Sequence, residues 1–401
     1  MKSVKIKSQV TMLMIVGLVI FITISLVLYL YKSTIKKYSQ QAIKKTQEAS
    51  FDSQTIKQFV TKCLDKLAKD AIILLGRQGG YIYTSQGGTL IDYNDVDEGI
   101  FFVKYNGHNV AYNILPPKFA PQAPIYPWES FPYETDTSNT EIFEGYFGTN
   151  NIPPLYSYEG QHSIQTQIET FVDNQISSCA NISLFESQGY DAELLGSKTQ
   201  VTIGSTDVSV NSIIPLKITN TATKETSEMK YFSTKLDIRL KDIYYFIIRL
   251  TDHDTKNIKF NLSDARNNED DFSIRVIKNI IYTNSKSDLV VVTDKKSLIY
   301  GKPFEYTFAR KNRAPALYYL RPNTLAFPYG YLINKTDLLQ NKPLKAEDSD
   351  EDDYKFKIFM GESGDVEAQF PIVLNQDQIK FIIEVNDGAL SDYQVINVVR
   401  I

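Results

Sequence analysis

The sequence predicts three parts in order: an N-terminal transmembrane helix, an α+β domain rich in strands, and an all-β sandwich. Three observations carry this. Ser8 to Tyr31 is a run of 24 residues without a charge. Two segments between residues 52 and 180 repeat apolar residues at spacings of three and four, the mark of amphipathic helices. Beyond residue 184, alternating or β-branched runs dominate, and 26 Tyr and 22 Phe beside one Trp add to the lean towards strands.

At about 1.5 Å per helical residue, Ser8–Tyr31 covers roughly 36 Å, enough to cross a hydrocarbon core of about 30 Å. "SLVLYLYK" offers no small-residue cleavage site, which favours an uncleaved anchor over a secretory signal. Lys2, Lys5 and Lys7 flank one side, while Lys32, Lys36, Lys37, Lys44 and Lys45 flank the other, so flanking charge is ambiguous and slightly opposes an outward C-terminus. An inside N-terminus and an outside C-terminal portion are expected, because long trailing domains cross largely regardless of charge. The sequons at Asn181, Asn261 and Asn334 agree with an extracellular body.

The expected boundaries follow. Residues 1–9 form a short cytoplasmic segment, 10–31 the helix that meets the lipid bilayer, and 32–51 a lysine-rich helical stalk. Residues 52–310 form the α+β ectodomain, with a subdivision near 184–200, and 311–401 the sandwich. Near-balanced charge, 43 basic against 47 acidic residues, argues against a nucleic-acid partner.

In the ectodomain, Ile56, Phe59, Val60, Cys63, Leu64, Leu67, Ala71 and Leu74 mark a first helix, which Gly76 closes. Ile164, Ile168, Phe171, Val172, Ile176 and Cys179 mark a second. Cys63 and Cys179 are the chain's two cysteines, and outside the cell pairing is their default. Residues 113–160 hold eight of the 15 prolines and the Trp. A folded loop packed over the domain is the plain expectation there, and an exposed aromatic face for a glycan or envelope protein the functional one. The segment near 230–250 fits strand and helix alike.

Two resemblances add to this. "KIKSQVTMLMIVGL" resembles the leader junction of archaeal type IV pilin-like proteins, which implies processing before Gln9 and a filament subunit as the alternative function. Ser8 stands where glycine is commoner. Asn312-Arg313-Ala314-Pro315, "AEDSDEDDYKFKIF" and "IIEVNDGALSDYQVINVVRI" together resemble a cadherin-like, immunoglobulin-type extracellular repeat. That resemblance implies a sandwich over 311–401 that presents surfaces. "VNDGALSD" makes its last hairpin, with Gly388 supplying the positive φ.

Such repeats bind Ca²⁺ through acidic turns and an acidic linker. Here Asp348, Asp350, Asp352 and Asp387 are the carboxylates on offer, but the linker "ARKNRAP" carries three basic residues. The ligand set is incomplete against the six to eight oxygens Ca²⁺ takes, so a solvated acidic turn is favoured. No hydrolase, zinc-protease or nucleotide-binding motif is present in the chain, which leaves a membrane-tethered enzyme as the third reading. The leading expectation is a single-pass cell-envelope protein with a non-catalytic binding or adhesion ectodomain.

Overall fold

The spacing of apolar residues builds the helices where expected. Helix α1 runs Ser53–Arg77, and α2 runs Ile164–Cys179. Ile56, Val60, Leu64 and Ile72 are fully buried, as are Ile164, Ile168, Val172 and Ile176 on the second helix. Ser163 caps α2, its hydroxyl accepting from the backbone N–H of Thr166. Gly76 sits in the last turn of α1 against the strand that carries Glu305. A Cβ there would collide with the Glu305 carbonyl and the Phe304 ring.

The structure is a computed structural model that describes residues 53–92, 102–116, 147–222, 224–282, 285–318, 320, 322–361 and 366–401. The expected transmembrane helix at 10–31, the stalk at 32–51 and most of the Pro- and Tyr-rich loop lie outside them. Among the described residues no helix is long and apolar enough to cross a membrane.

The fold is mixed α+β, with several sheets. Its largest sheet has the order β1-β2-β10-β9-β8, with β3 beside β2. These strands are β1 (Phe102–Tyr105), β2 (His108–Leu115), β3 (Thr149–Asn150), β8 (Phe272–Tyr282), β9 (Ser285–Ile299) and β10 (Lys302–Lys311). Two-residue turns close two of its hairpins. Asn106-Gly107 and Tyr300-Gly301 hold positive φ at both positions, the twist that antiparallel neighbours need. Strand β10 runs parallel to β2, with Ala309 opposite Tyr112.

The described residues fall into two compact units. The first holds 53–60, 181–194 and 216–229. Within it, β4 (Tyr190–Leu194) pairs antiparallel with the second half of β6 (Val208–Asn220), and Phe59 meets Phe185 edge to face at 5.4 Å. The second unit holds the large sheet, α2, most of α1 and all residues from 230 on. In it, β5 (Lys198–Ile203) pairs with the first half of β6. The ambiguous segment resolves into both structures: β7 (Thr226–Leu236) pairs with β6, and helix α3 (Leu240–Lys256) follows at once. "KNIKFNLSD", which reads as a strand, forms turns instead; the side chains of Asn257 and Asn261 accept from backbone N–H groups two residues on.

Residues 316–400 build their own sheets. The main one has the order β12-β19-β18-β15-β16, from Thr324–Phe327, Ser391–Arg400, Gln378–Asn386, Lys355–Met360 and Val366–Glu367. Short strands β11 (Ala316–Leu317) and β14 (Ala346–Glu347) pair with one another. Phe381, Ile383, Val385, Ile396 and Val398 are fully buried in a core of this region's own. Ile382, Val395 and Val399 lie on the opposite face and are half-buried. The buried face of β19 also carries Asp392 and Gln394. Their side chains accept from the backbone N–H groups of Leu317 and Leu320 and so pin the segment entering this region. The last hairpin turns at Asp387–Leu390 with Gly388 at φ +95°, as the sequence implied.

Candidate functional site

Strand β10 leaves the large sheet as "ARKNRAP", and its basic residues do not stay in solvent. Arg310 and Arg313 are each 1% exposed, which demands charged partners, since an unpaired guanidinium is very costly to bury. Three aspartates supply them: Asp254 from α3, Asp288 from β9 and Asp350 from the acidic turn after β14. Arg310 donates to Asp254 at 3.0 Å and to Asp288 at 2.7 Å, and its Nε lies 3.2 Å from Asp350. Arg313 clasps Asp350 through its backbone N–H at 2.6 Å, Nε at 3.0 Å and Nη2 at 2.7 Å. Its Nη1 lies 2.9 Å from Asp254 and donates to the Phe147 carbonyl at 3.0 Å.

Electrostatics follow from the geometry. Burial pushes the Asp350 carboxyl up, but Arg313 and Arg310 outweigh it and hold the group below the usual carboxylate range. Burial lowers both guanidinium groups, and the surrounding carboxylates more than offset that, so both stay charged.

The four residues with the Ca²⁺ expectation are each engaged by the chain itself. Asp350 is held by the two arginines. Asp352 pairs with Lys286 at 2.6 Å. Asp387 accepts from Asn312 Nδ2 at 2.8 Å, and its other oxygen caps its own turn by accepting from Ala389 and Leu390. Asp348 caps the acidic turn, its Oδ1 accepting from the N–H groups of Asp350 and Asp352. Its Oδ2 is buried without a hydrogen-bond partner. Burial, then the charge of Asp350, pushes the Asp348 carboxyl up to about 7. Among the described residues, no group of three or more His, Cys, Asp or Glu side chains could hold a metal ion.

The two cysteines do meet. Cys63 and Cys179 form a disulfide with Cα atoms 5.7 Å apart, joining α1 to the C-terminal end of α2. The sequon asparagines Asn181, Asn261 and Asn334 are all exposed. Of the aromatic loop, the described part keeps Tyr156 and Tyr158, whose rings stack 5.4 Å apart at an interplanar angle of 9°.

Sequence reasoning missed Asp254 and Asp288 as partners of the linker, and nothing local marks either. The signal was in the linker, where basic residues occupied positions the resemblance reserves for acids.

No protein-family model and no curated protein matches the sequence. Among solved structures, the chain is weakly similar to the first four extracellular repeats of Drosophila N-cadherin. The likeness has a TM-score of 0.17 and 8% identity, covering 53% of this chain and 67% of that one. It is too slight to carry an argument.

Proposed function

We propose that the chain is a single-pass, membrane-anchored protein of the cell envelope whose ectodomain binds an envelope protein or glycan and performs no catalysis. The observation that carries this is the Cys63–Cys179 bridge: two cysteines, both spent on a crosslink between helices, suit an oxidising compartment. The uncharged run from Ser8 to Tyr31 supplies the anchor, with the N-terminus inside. A buried ionic junction fixes the sandwich to the preceding fold, which suits a domain whose work is to present a surface.

Protease added to intact cells tests the location. Loss of the C-terminal region, with the bridge intact in non-reducing peptide maps, is the expected outcome; full protection until lysis overturns it. The filament-subunit reading rests on the match around Gln9, and mass spectrometry of the native N-terminus separates the two. An intact Met1 supports the anchor, and a new terminus at Gln9 the filament.

A further inference from the structure

Strands β5, β6 and β7 present one face to solvent, and along it lies an open trough of about 690 Å³. Lys198–Gln200, Asn211–Ile213 and Tyr231–Ser233 line it, and alternation turns the side chains of Thr199, Ser212 and Phe232 inward and leaves the others in solvent. Gln200 stands opposite Asn211, and Lys198 opposite Ile213, with Tyr231 and Ser233 on the neighbouring strand. Tyr231 is 76% exposed, far more than a ring of that size needs for packing. At the β5 edge the trough is bounded by Ser157, Gln165 and Glu169.

That wall is fixed in place. Gln165 accepts from the Ser157 N–H at 3.0 Å and donates to the Val201 carbonyl at 3.0 Å, while Glu169 accepts from the Val201 N–H at 2.9 Å. Ser157 also opens the short turn Ser157–Glu159, which carries the stacked Tyr156–Tyr158 pair. Tyr158 is 81% exposed, and Tyr245 from α3 is 42% exposed. One flat, exposed tyrosine ring thus lines the trough, and Tyr158 follows directly on Ser157 of its wall.

We infer that this trough binds a neutral glycan, which names the partner class of the ectodomain proposed above and rests on that reading. A sugar ring has an apolar C–H face and a rim of hydroxyls. Exposed tyrosine rings suit the face, being amphipathic and rigid. Hydroxyls both donate and accept, and so do the side-chain amides of Gln200 and Asn211 and the hydroxyl of Ser233. The volume lies within the range of ligand sites. One lysine and one glutamate line it, which does not fit a polyanion. Ile213 is its one exposed aliphatic side chain among the described lining residues, which does not fit the apolar anchor of a protein partner.

The test uses the full chain in a detergent without a sugar headgroup. The probe is a panel of short neutral oligosaccharides of glucose, galactose, mannose and N-acetylglucosamine, followed by saturation-transfer NMR and titration calorimetry. Saturable binding of at least one member is expected. Tyr231→Ala and Tyr158→Ala should each weaken it by about fivefold to tenfold. Tyr231→Phe should bind like the parent, and so should Tyr329→Ala, an exposed tyrosine of the sandwich. Two results overturn the inference: no member binds saturably, or both alanine variants bind as the parent does. Since purified protein is used, each would leave the proposed location standing, and failed surface exposure would not touch the binding result.

Discussion

Arg313 holds Asp350 at three points, with its backbone N–H on one carboxylate oxygen and Nε and Nη2 on the other. Both oxygens of the central residue of the acidic turn are therefore taken up by a residue 37 positions earlier in the chain.

Removing one partner leaves the other charge buried and uncompensated. Arg313→Ala should cost about 3–5 kcal/mol of stability. Arg313→Lys should fall in between, because an ammonium cannot reproduce the planar fork. Denaturant unfolding of the two variants beside the parent checks this; an Arg313→Ala protein within experimental error of the parent would contradict it.

Calcium should leave the protein unmoved. With Asp350 and Asp352 held by Arg313 and Lys286, a divalent ion would have to displace charges already in place. Equal melting temperatures in millimolar Ca²⁺ and in chelator are expected, and a rise with Ca²⁺ would show that the acidic turn rearranges to take it up.

The pH dependence has a definite sign. The Asp348 carboxyl is raised to about 7 in the fold, against 3.8 for the ordinary group. Between those values the folded state keeps a proton that the unfolded chain has lost. Asp348 therefore contributes stability at low pH that is lost as pH rises through about 7, on the order of 4 kcal/mol. Asp392, which burial pushes up to about 9, extends the decline to higher pH. In Asp348→Asn, melting temperatures measured from pH 5 to pH 8 should fall less than the parent's. A slope identical to the parent's would remove Asp348 as its source.

The disulfide joins residues 116 positions apart. The loop-entropy account gives about 4–5 kcal/mol for a crosslink of that span. Cys63→Ser with Cys179→Ser should unfold at a correspondingly lower denaturant concentration. Free thiols in the parent under non-reducing conditions would dismiss the bridge itself.

Legibility in the sequence followed the range of the interaction. The faces of α1 and α2 are set by contacts repeating every three or four residues, so their spacing betrayed them, and the Gly388 turn is equally local. The boundary between β7 and α3 was not legible, because "YFSTKLDIRLKDIYYFIIRL" carries β-branched and aromatic residues on both sides of it. Only packing ends the strand at Leu236 and starts the helix at Leu240. The junction was half legible. Three basic residues in the linker argued against an ion there, but Asp254 and Asp288 lie 56 and 22 positions from Arg310. No local rule reaches that far.

Strand β10 lies inside the large sheet and then becomes the linker, so any tension passing into the C-terminal region travels through Arg310 and Arg313. Surface charges lose their grip over about 8 Å in physiological salt, but pairs shielded from water do not. The joint is therefore a stiff mechanical coupling, indifferent to the ionic strength outside. A hinge stiffened by bound ions would slacken in dilute surroundings; this one should transmit the same pull in fresh water and in brine.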